Sequence, residues 1–279
     1  MENSKLLELS RIANSIRLGI IESVYNAKCG HPGGSLSIAD IMTYLYFVEM
    51  NVDPENPKNP GRDRFVLSKG HTAPALYSTL AERGFFPKED LKTLRKTASY
   101  LQGHPDLKMV PGVDMSTGSL GQGVSAACGM ALSSKIDGSP YRVYTVVGDG
   151  ESEEGQVWEA AMFAAHYKLD NLTLILDWNG LQIDGPIAEV MNPTPFDEKF
   201  RAFGWNVISI DAHNFNEIKV AFATARETKG KPTAIIAKSI KGKGVSYMEN
   251  ACEWHGQAPK EDLYKVAVSD LEKIAETLK

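Results

Sequence analysis

VVGDGESEEGQVWEAAMFAAHYKLDNLTLILDWNGLQIDG, residues 146–185, decides the fold. An apolar run ends at Gly148, and Asp149 follows it directly between two glycines, which let the backbone turn tightly and approach a ligand. A helix starting near Glu154 and a second apolar run come next, and the chain returns to the same sheet edge at Asn179. Asp149 and Asn179 can therefore converge although thirty positions separate them. Further runs lie on either side: RFVL (64–67), RVYTVV (142–147), LTLILD (172–177), WNVISI (205–210) and TAIIAK (233–238). They are almost continuously apolar, as strands buried on both faces are. Strand alternating with helix implies an α/β fold, a parallel β-sheet flanked by helices on both faces. The glycine-rich segments SKGH, GDGES and DWNGLQIDG follow strands, where ligands gather in such sheets.

Upstream, Leu6, Leu9, Ala13, Ile16, Ile20 and Val24 recur at three- and four-residue steps and predict a first helix, with Gly30 as its stop. A second helix is expected after Ser37, whose hydroxyl would cap the turn opposite Asp40. The loop CGHPGGS joins the two. The segment NVDPENPKNPGRDR (51–64) reads as a surface excursion. No repeat, low-complexity tract or linker interrupts the chain, so residues 1–279 are expected to form a single domain.

The 279 residues are 43% hydrophobic and carry a formal net charge of -5, enough to bury one large core. Charges of both signs are interspersed without a basic stripe, which argues against nucleic acid as a partner. The charged N-terminus is not a signal peptide, and no run approaches the roughly 18 apolar residues of a membrane span. Cys29, Cys128 and Cys252 lie far apart without metal-ligand spacing, which fits a reduced cytoplasm.

A carboxylate from Asp149, an amide oxygen from Asn179 and a nearby carbonyl are hard oxygen ligands suited to Mg²⁺ or Ca²⁺. Amides of Gly150 and its neighbours, at a helix start, would reach a phosphate oxygen. Either dipeptide alone reads as a turn; the matched strand ends make the pair a site. GxGxxG is missing after any early strand and GxxxxGK[ST] is absent, which removes the dinucleotide and P-loop alternatives. His31 (GHPGGS), His71 (SKGH), His104 (QGHP) and His255 (EWHG) occupy glycine- or proline-flanked loops, where binding residues concentrate.

The block from GDG to the Asn thirty residues on resembles the thiamine-diphosphate signature. GHPGGSLSIADIM, DRFVLSKGHTAPALYSTLAERGFF, LQGHPD, STGSLGQGVSAACGMA and WHG resemble transketolase in the same order, from about residue 10 to about 257. The resemblance implies the diphosphate-binding (PP-type) fold, and a metal held by Asp149, Asn179 and the carbonyl of Leu181. Mg²⁺ is the expected ion, with Ca²⁺ or Mn²⁺ able to substitute. It puts His71 and His255 on the diphosphate, with Gly148, Asp149, Gly150, Glu151 and Asn179 around it. His31 and His104 line the channel to the thiazolium, hydrogen-bonding donor hydroxyls and steering protons, and His31 also touches the cofactor. Gly118 and Leu120 lie against the cofactor's bent middle. Arg95 helps at the channel mouth. Glu154 and Glu159 match acids that pass protons between paired active sites; the other reading of Glu154 is a first-turn acid facing the helix dipole. His166 is expected to be structural, His213 has no assigned role, and Lys241 and Lys243, in a mobile segment, are expected to be solvated.

The resemblance also implies a transfer of a two-carbon ketol unit from a ketose phosphate to an aldose phosphate. In the family, the glutamate and pocket for the aminopyrimidine come from a further domain of the other subunit, and one PP-type domain consumes all 279 residues. A separately encoded subunit carrying the pyrimidine-binding and C-terminal domains is therefore expected, as two copies of each chain. The alternatives are a chain of the 1-deoxyxylulose-5-phosphate synthase-like kind and a non-catalytic regulatory subunit.

Overall fold

The computed structural model describes residues 1–278; Lys279, the end of the expected domain, lies outside them. Helix α1 (Asn3–Ala27) turns Leu9, Ala13, Ile16, Ile20 and Val24 inward, as the spacing predicts. It stops before Gly30: Lys28 takes a left-handed φ of 57°, its amide bonds to the Tyr25 carbonyl, and its ammonium lies 3.6 Å over the Tyr25 ring. The segment expected to be loop holds a short helix, α2 (Pro32–Leu36), before α3 (Ala39–Tyr44). Ser37 caps neither. Its hydroxyl bonds to the Gly34 carbonyl at 3.0 Å and to Asp177 Oδ2 at 2.8 Å, drawn into a buried polar cluster under the site.

Strand β1 (Arg64–Leu67) leads through SKGH into α4 (Ala73–Arg83). After α5 (Gln122–Ile136) come β2 (Val143–Gly148), α6 (Gly155–His166) and β3 (Leu172–Trp178). A two-stranded antiparallel ribbon follows, β4 (Leu181–Gln182) with β5 (Gly185–Pro186), then α7 (Ile187–Val190) and α8 (Phe196–Ala202). The chain closes with β6 (Asn206–Asp211), α9 (Phe215–Glu227), β7 (Thr233–Lys238) and α10 (Glu261–Thr277). The main sheet has five strands, all paired parallel, in the order β1-β2-β3-β7-β6.

Continuous apolarity in the strands conceals a period of two. Phe65, Leu67, Tyr144, Val146, Ile175 and Ile235 face one core, with α1, α3, α4 and α9. Val66, Val143, Val147, Leu174, Leu176 and Ile236 face the other, with α5, α6 and α8. Both faces of the central strands are covered and almost wholly apolar, whereas the edge strand β6 leaves Ser209 and Asp211 exposed. Every strand of this sheet ends on one edge, and the loops there carry the polar residues.

On α3, Asp40 is buried between Arg17, whose two terminal nitrogens reach its carboxylate, and His213, whose Nδ1 lies 2.7 Å from Oδ2. Burial alone would raise its pKa, but Arg17 and His213 outweigh it and hold the acid down at about 2, against 3.8 for an ordinary Asp. An acid depressed in the fold contributes stability that is complete above its unfolded pKa and disappears as pH falls through the folded one. Asp40→Asn should therefore cost roughly 2 kcal/mol at pH 7 from this shift. The difference from wild type should shrink between about pH 4 and pH 2, and urea midpoints across that window measure it. A pH-independent difference contradicts the assignment.

Candidate active site

The carboxyl ends of β2 and β3 bring Asp149 and Asn179 together, and a cleft of about 290 Å³ opens above them. Its wall contains His31, His71, Gly118, Leu120, Gly148, Asp149, Gly150, Glu151, Asn179, Leu181 and His255. Each of these residues is expected at the cofactor or the metal from the sequence. His104 stands beside the cleft, its ring so near Gly118 that a Cβ there would meet it at 3.1 Å. Arg95 lies against Gly103, where a Cβ would meet its guanidinium at 2.6 Å, so that glycine leaves room for the side chain. Glu154 and Glu159 are exposed and outside the cleft; Glu159 borders a shallow hollow with Cys128 and Phe163. His166 stands at the end of α6 against the Tyr167 ring.

Asp149 is 2% exposed. Its Oδ2 accepts the Gly180 amide at 2.6 Å and its Oδ1 the Gly150 amide at 2.9 Å. The Gly150 amide is thus engaged by the carboxylate rather than free, and a 3₁₀ turn (Gly150–Glu153), not an α-helix, begins there. Asn179 donates through Nδ2 to Asp177 Oδ2 at 3.0 Å and accepts the Leu181 amide at Oδ1. Burial, then the neighbouring Asp177, push the Asp149 acid up to about 7. Nearby, the Leu181 carbonyl accepts the Lys241 ammonium at 3.0 Å.

Glu151 sits beneath this turn with both oxygens occupied, by the Ser68 hydroxyl (2.6 Å), the Gly121 amide (2.9 Å) and the Gly148 amide (2.9 Å). It ties β1, the α5 entrance and β2 together.

Three imidazoles form the opposite wall. His71 and His255 stack at 5.3 Å, and His31 meets them edge-on at 5.0 and 5.4 Å. Burial lowers all three, His31 to about 4 and His255 to about 3, with Arg95, His104 and Lys241 adding to the effect on His31. Burial and Arg95 lower His104 as well. At neutral pH each ring is uncharged, with one donor and one acceptor nitrogen. His255 Nδ1 accepts from Lys241 at 3.0 Å, so its proton is on Nε2. Among the described residues the buried His31 Nδ1 has no hydrogen-bond partner.

Two groups here are not foreshadowed by the local sequence, and a third, Lys241, lies where the sequence did not place it. Lys69 is 2% exposed, and its ammonium donates to Asp177 Oδ2 (2.7 Å) and the Gly34 carbonyl (2.8 Å). Asp177 is 1% exposed and also accepts from Ser37 and Ser239. Lys241, expected in solvent, is 2% exposed, and burial lowers its amine to about 8. The cause is Gly242, at φ 79° with the Met248 carbonyl filling the place a Cβ would take, so the chain doubles back tightly and turns Lys241 inward. Lys243 is half-buried and pairs with Glu249 at 3.4 Å.

The donor set fits a divalent cation bearing a diphosphate. The buried Asp149 carboxylate, the Asn179 amide oxygen and the Leu181 carbonyl supply hard oxygens. Two lysines and three neutral imidazoles surround the space beside them. Among the described residues no three His, Cys, Asp or Glu side chains converge as a metal site. The amide and the carbonyl must complete the set.

The family described as "Transketolase, thiamine diphosphate binding domain" matches residues 9–271. A protein of a Clostridium species named 6-deoxy-6-sulfo-D-fructose transketolase subunit is 49% identical over 96% of this chain and 97% of its own. An apulose-4-phosphate transketolase subunit from Phocaeicola vulgatus is 44% identical over 98% and 96%. Human transketolase is 44% identical over 97% of this chain but only 43% of its own length. The crystal structure of Campylobacter jejuni transketolase superposes with a TM-score of 0.89 at 35% identity, over 95% of this chain and 42% of that one. The chain thus spans nearly all of the two subunits and under half of the longer enzymes.

Proposed function

The chain belongs to the transketolase family through its thiamine diphosphate-binding domain, and from that premise we propose that it is the cofactor- and metal-binding subunit of a two-chain transketolase. One observation carries the reading: a single cleft gathers the Asp149 carboxylate, the Asn179 amide and the Leu181 carbonyl beside three neutral histidines. Residues 1–279 form one PP-type domain, and the second chain supplies the pyrimidine-binding and C-terminal domains, two copies of each. The names of the two subunit relatives, both matched over nearly their full length, support a partner chain.

Bound thiamine diphosphate supplies the electron sink for breaking and re-forming the bond beside a ketose carbonyl. The protein supplies position and charge. Asp149, Asn179 and Leu181 hold Mg²⁺, or Ca²⁺ or Mn²⁺ in its place, and Lys241, His71 and His255 face the diphosphate oxygens. Gly118 and Leu120 pack the middle of the cofactor, with Gly148, Gly150 and Glu151 shaping the turn around it. His31 and His104 hold the donor hydroxyls; being neutral, they can take a proton from a sugar oxygen and return it. Arg95 sits at the mouth. Glu154 and Glu159 lie on the outer surface, where they link the cleft to a second copy.

The donor is a ketose with an anionic end, phosphate or sulfonate, a class the names of the relatives support, and the acceptor is an aldose phosphate. The three unpaired cysteines support a reducing compartment, the cytoplasm. Among the described residues no helix is long and apolar enough to cross a membrane. The test mixes this chain with the companion, thiamine diphosphate and Mg²⁺, and follows ketol transfer from xylulose 5-phosphate and from 6-deoxy-6-sulfofructose to aldose acceptors. Turnover is expected only in the mixture. Turnover by this chain alone would overturn the two-chain reading, and a demand for pyruvate in place of an aldose would favour the synthase.

A further inference from the structure

Lys241 reaches the cleft from a strap, residues 239–250, that is not part of the sheet. The strap is pinned residue by residue. The Ser239 amide donates to the Trp178 carbonyl (3.0 Å), the Gly242 amide to the Gly33 carbonyl (2.9 Å), and the Asn250 amide to the Lys241 carbonyl (2.9 Å). Between the first two, directly before Lys241, the Ile240 amide has no backbone carbonyl as partner. It donates to the Nε2 of His213 at 3.0 Å.

That bond fixes the state of the ring. Nε2 must offer its lone pair to an amide N–H, so the ring proton is on Nδ1, which donates it to Asp40 Oδ2 at 2.7 Å. Asp40 is held in turn by both terminal nitrogens of Arg17. The arrangement matches the carboxylate–histidine pairs that orient metal ligands, in which an outer carboxylate sets tautomer and ring angle. Here the histidine orients a peptide amide instead of a metal. Its side chain is 13% exposed, and it lines a separate hollow of about 540 Å³ with Asp211, Glu217 and Lys243, outside the cofactor cleft.

We propose that His213 is a positioning residue: Arg17, Asp40 and His213 form a relay that sets the Ile240 amide and thereby aims the Lys241 ammonium at the Leu181 carbonyl and the diphosphate space. The relay touches neither cofactor nor substrate. Its assignment to the cofactor rests on the function proposed above, but the geometry of Lys241 does not.

The test is accordingly read first without cofactor. The full chain, with and without its companion, is treated with a small acylating reagent, and modification of Lys241 is followed by mass spectrometry, with exposed Lys265 as internal control. His213→Gln keeps an acceptor near the Nε2 position, whereas His213→Asn keeps only a donor near Nδ1. Loss of one buried hydrogen bond should accelerate Lys241 labelling about tenfold in His213→Asn and in His213→Ala. His213→Gln should remain within about threefold of wild type, since the acceptor bond is kept. The KM for thiamine diphosphate should rise in the same two variants, with kcat at saturating cofactor unchanged. Equal labelling of Lys241 in all four proteins would overturn the relay. So would equal acceleration in the Gln and Asn variants, because the retained acceptor would then not matter. A wild-type chain that fails to bind the cofactor would refute the proposed function and leave the labelling result standing on its own.

Discussion

Asp149→Ala is expected to weaken binding of thiamine diphosphate with Mg²⁺ on the order of 100-fold or more, since loss even of an outer partner of a metal site costs about 10- to 100-fold. Titration calorimetry of the chain with the cofactor, at fixed excess Mg²⁺, measures it. The fold should not suffer in parallel. An acid raised from 3.8 to about 7 binds its proton more tightly folded than unfolded, so it takes stability away as pH climbs through that interval. Above pH 7 the Ala variant should therefore melt at or above the wild-type temperature. Affinity within threefold of wild type would remove Asp149 from the metal site.

Lys69→Met should carry the largest stability cost. It removes the ammonium that bonds to Asp177 at 2.7 Å and leaves a carboxylate 1% exposed. Breaking a buried pair from one side costs about 3–5 kcal/mol. Burial raises the Asp177 acid, and Lys69, with the Ser239 and Ser37 hydroxyls, brings it below its ordinary value. Without Lys69 the burial penalty has only neutral donors against it. Lys69→Met with Asp177→Leu, which removes both charges, should recover part of the loss. Urea unfolding of the three proteins decides: a single variant within about 1 kcal/mol of wild type contradicts the pair's importance, given the usual cost of an unpaired buried charge.

The strands were legible because the central ones have no solvent face; five apolar runs became the five strands of the main sheet with ends shifted by a residue or so, the half-exposed edge strand β6 among them. Asp149 and Asn179 were legible because both are placed by the strand ends they follow. Lys69 and Asp177 were not. They are 108 positions apart, and nothing local says that a lysine after β1 turns inward. A signal existed: LTLILD ends an apolar run in an acid, and a buried acid needs a cation. Lys241 was misread because KGKG looks like a solvated loop, and its burial depends on the Met248 backbone folding over Gly242, a contact the local pattern does not encode. Ser37 failed as a cap for the same reason, since Asp177, the partner that claims it, is 140 positions away.

The strand order has a consequence for how the molecule is made. β7 lies between β3 and β6 although it follows both in the chain. Until residues 233–238 emerge, one edge of β3 has no neighbour, and the Asp177 end of that strand lacks Ser239. An unpaired apolar strand edge is a template for association with other chains. Nascent chains stalled or cut before residue 238 should therefore be the aggregating species, while those extending past it are protected. Because the Lys241 strap and His255 follow β7 directly, the strand that seals the sheet is also the one that delivers the last wall of the cleft.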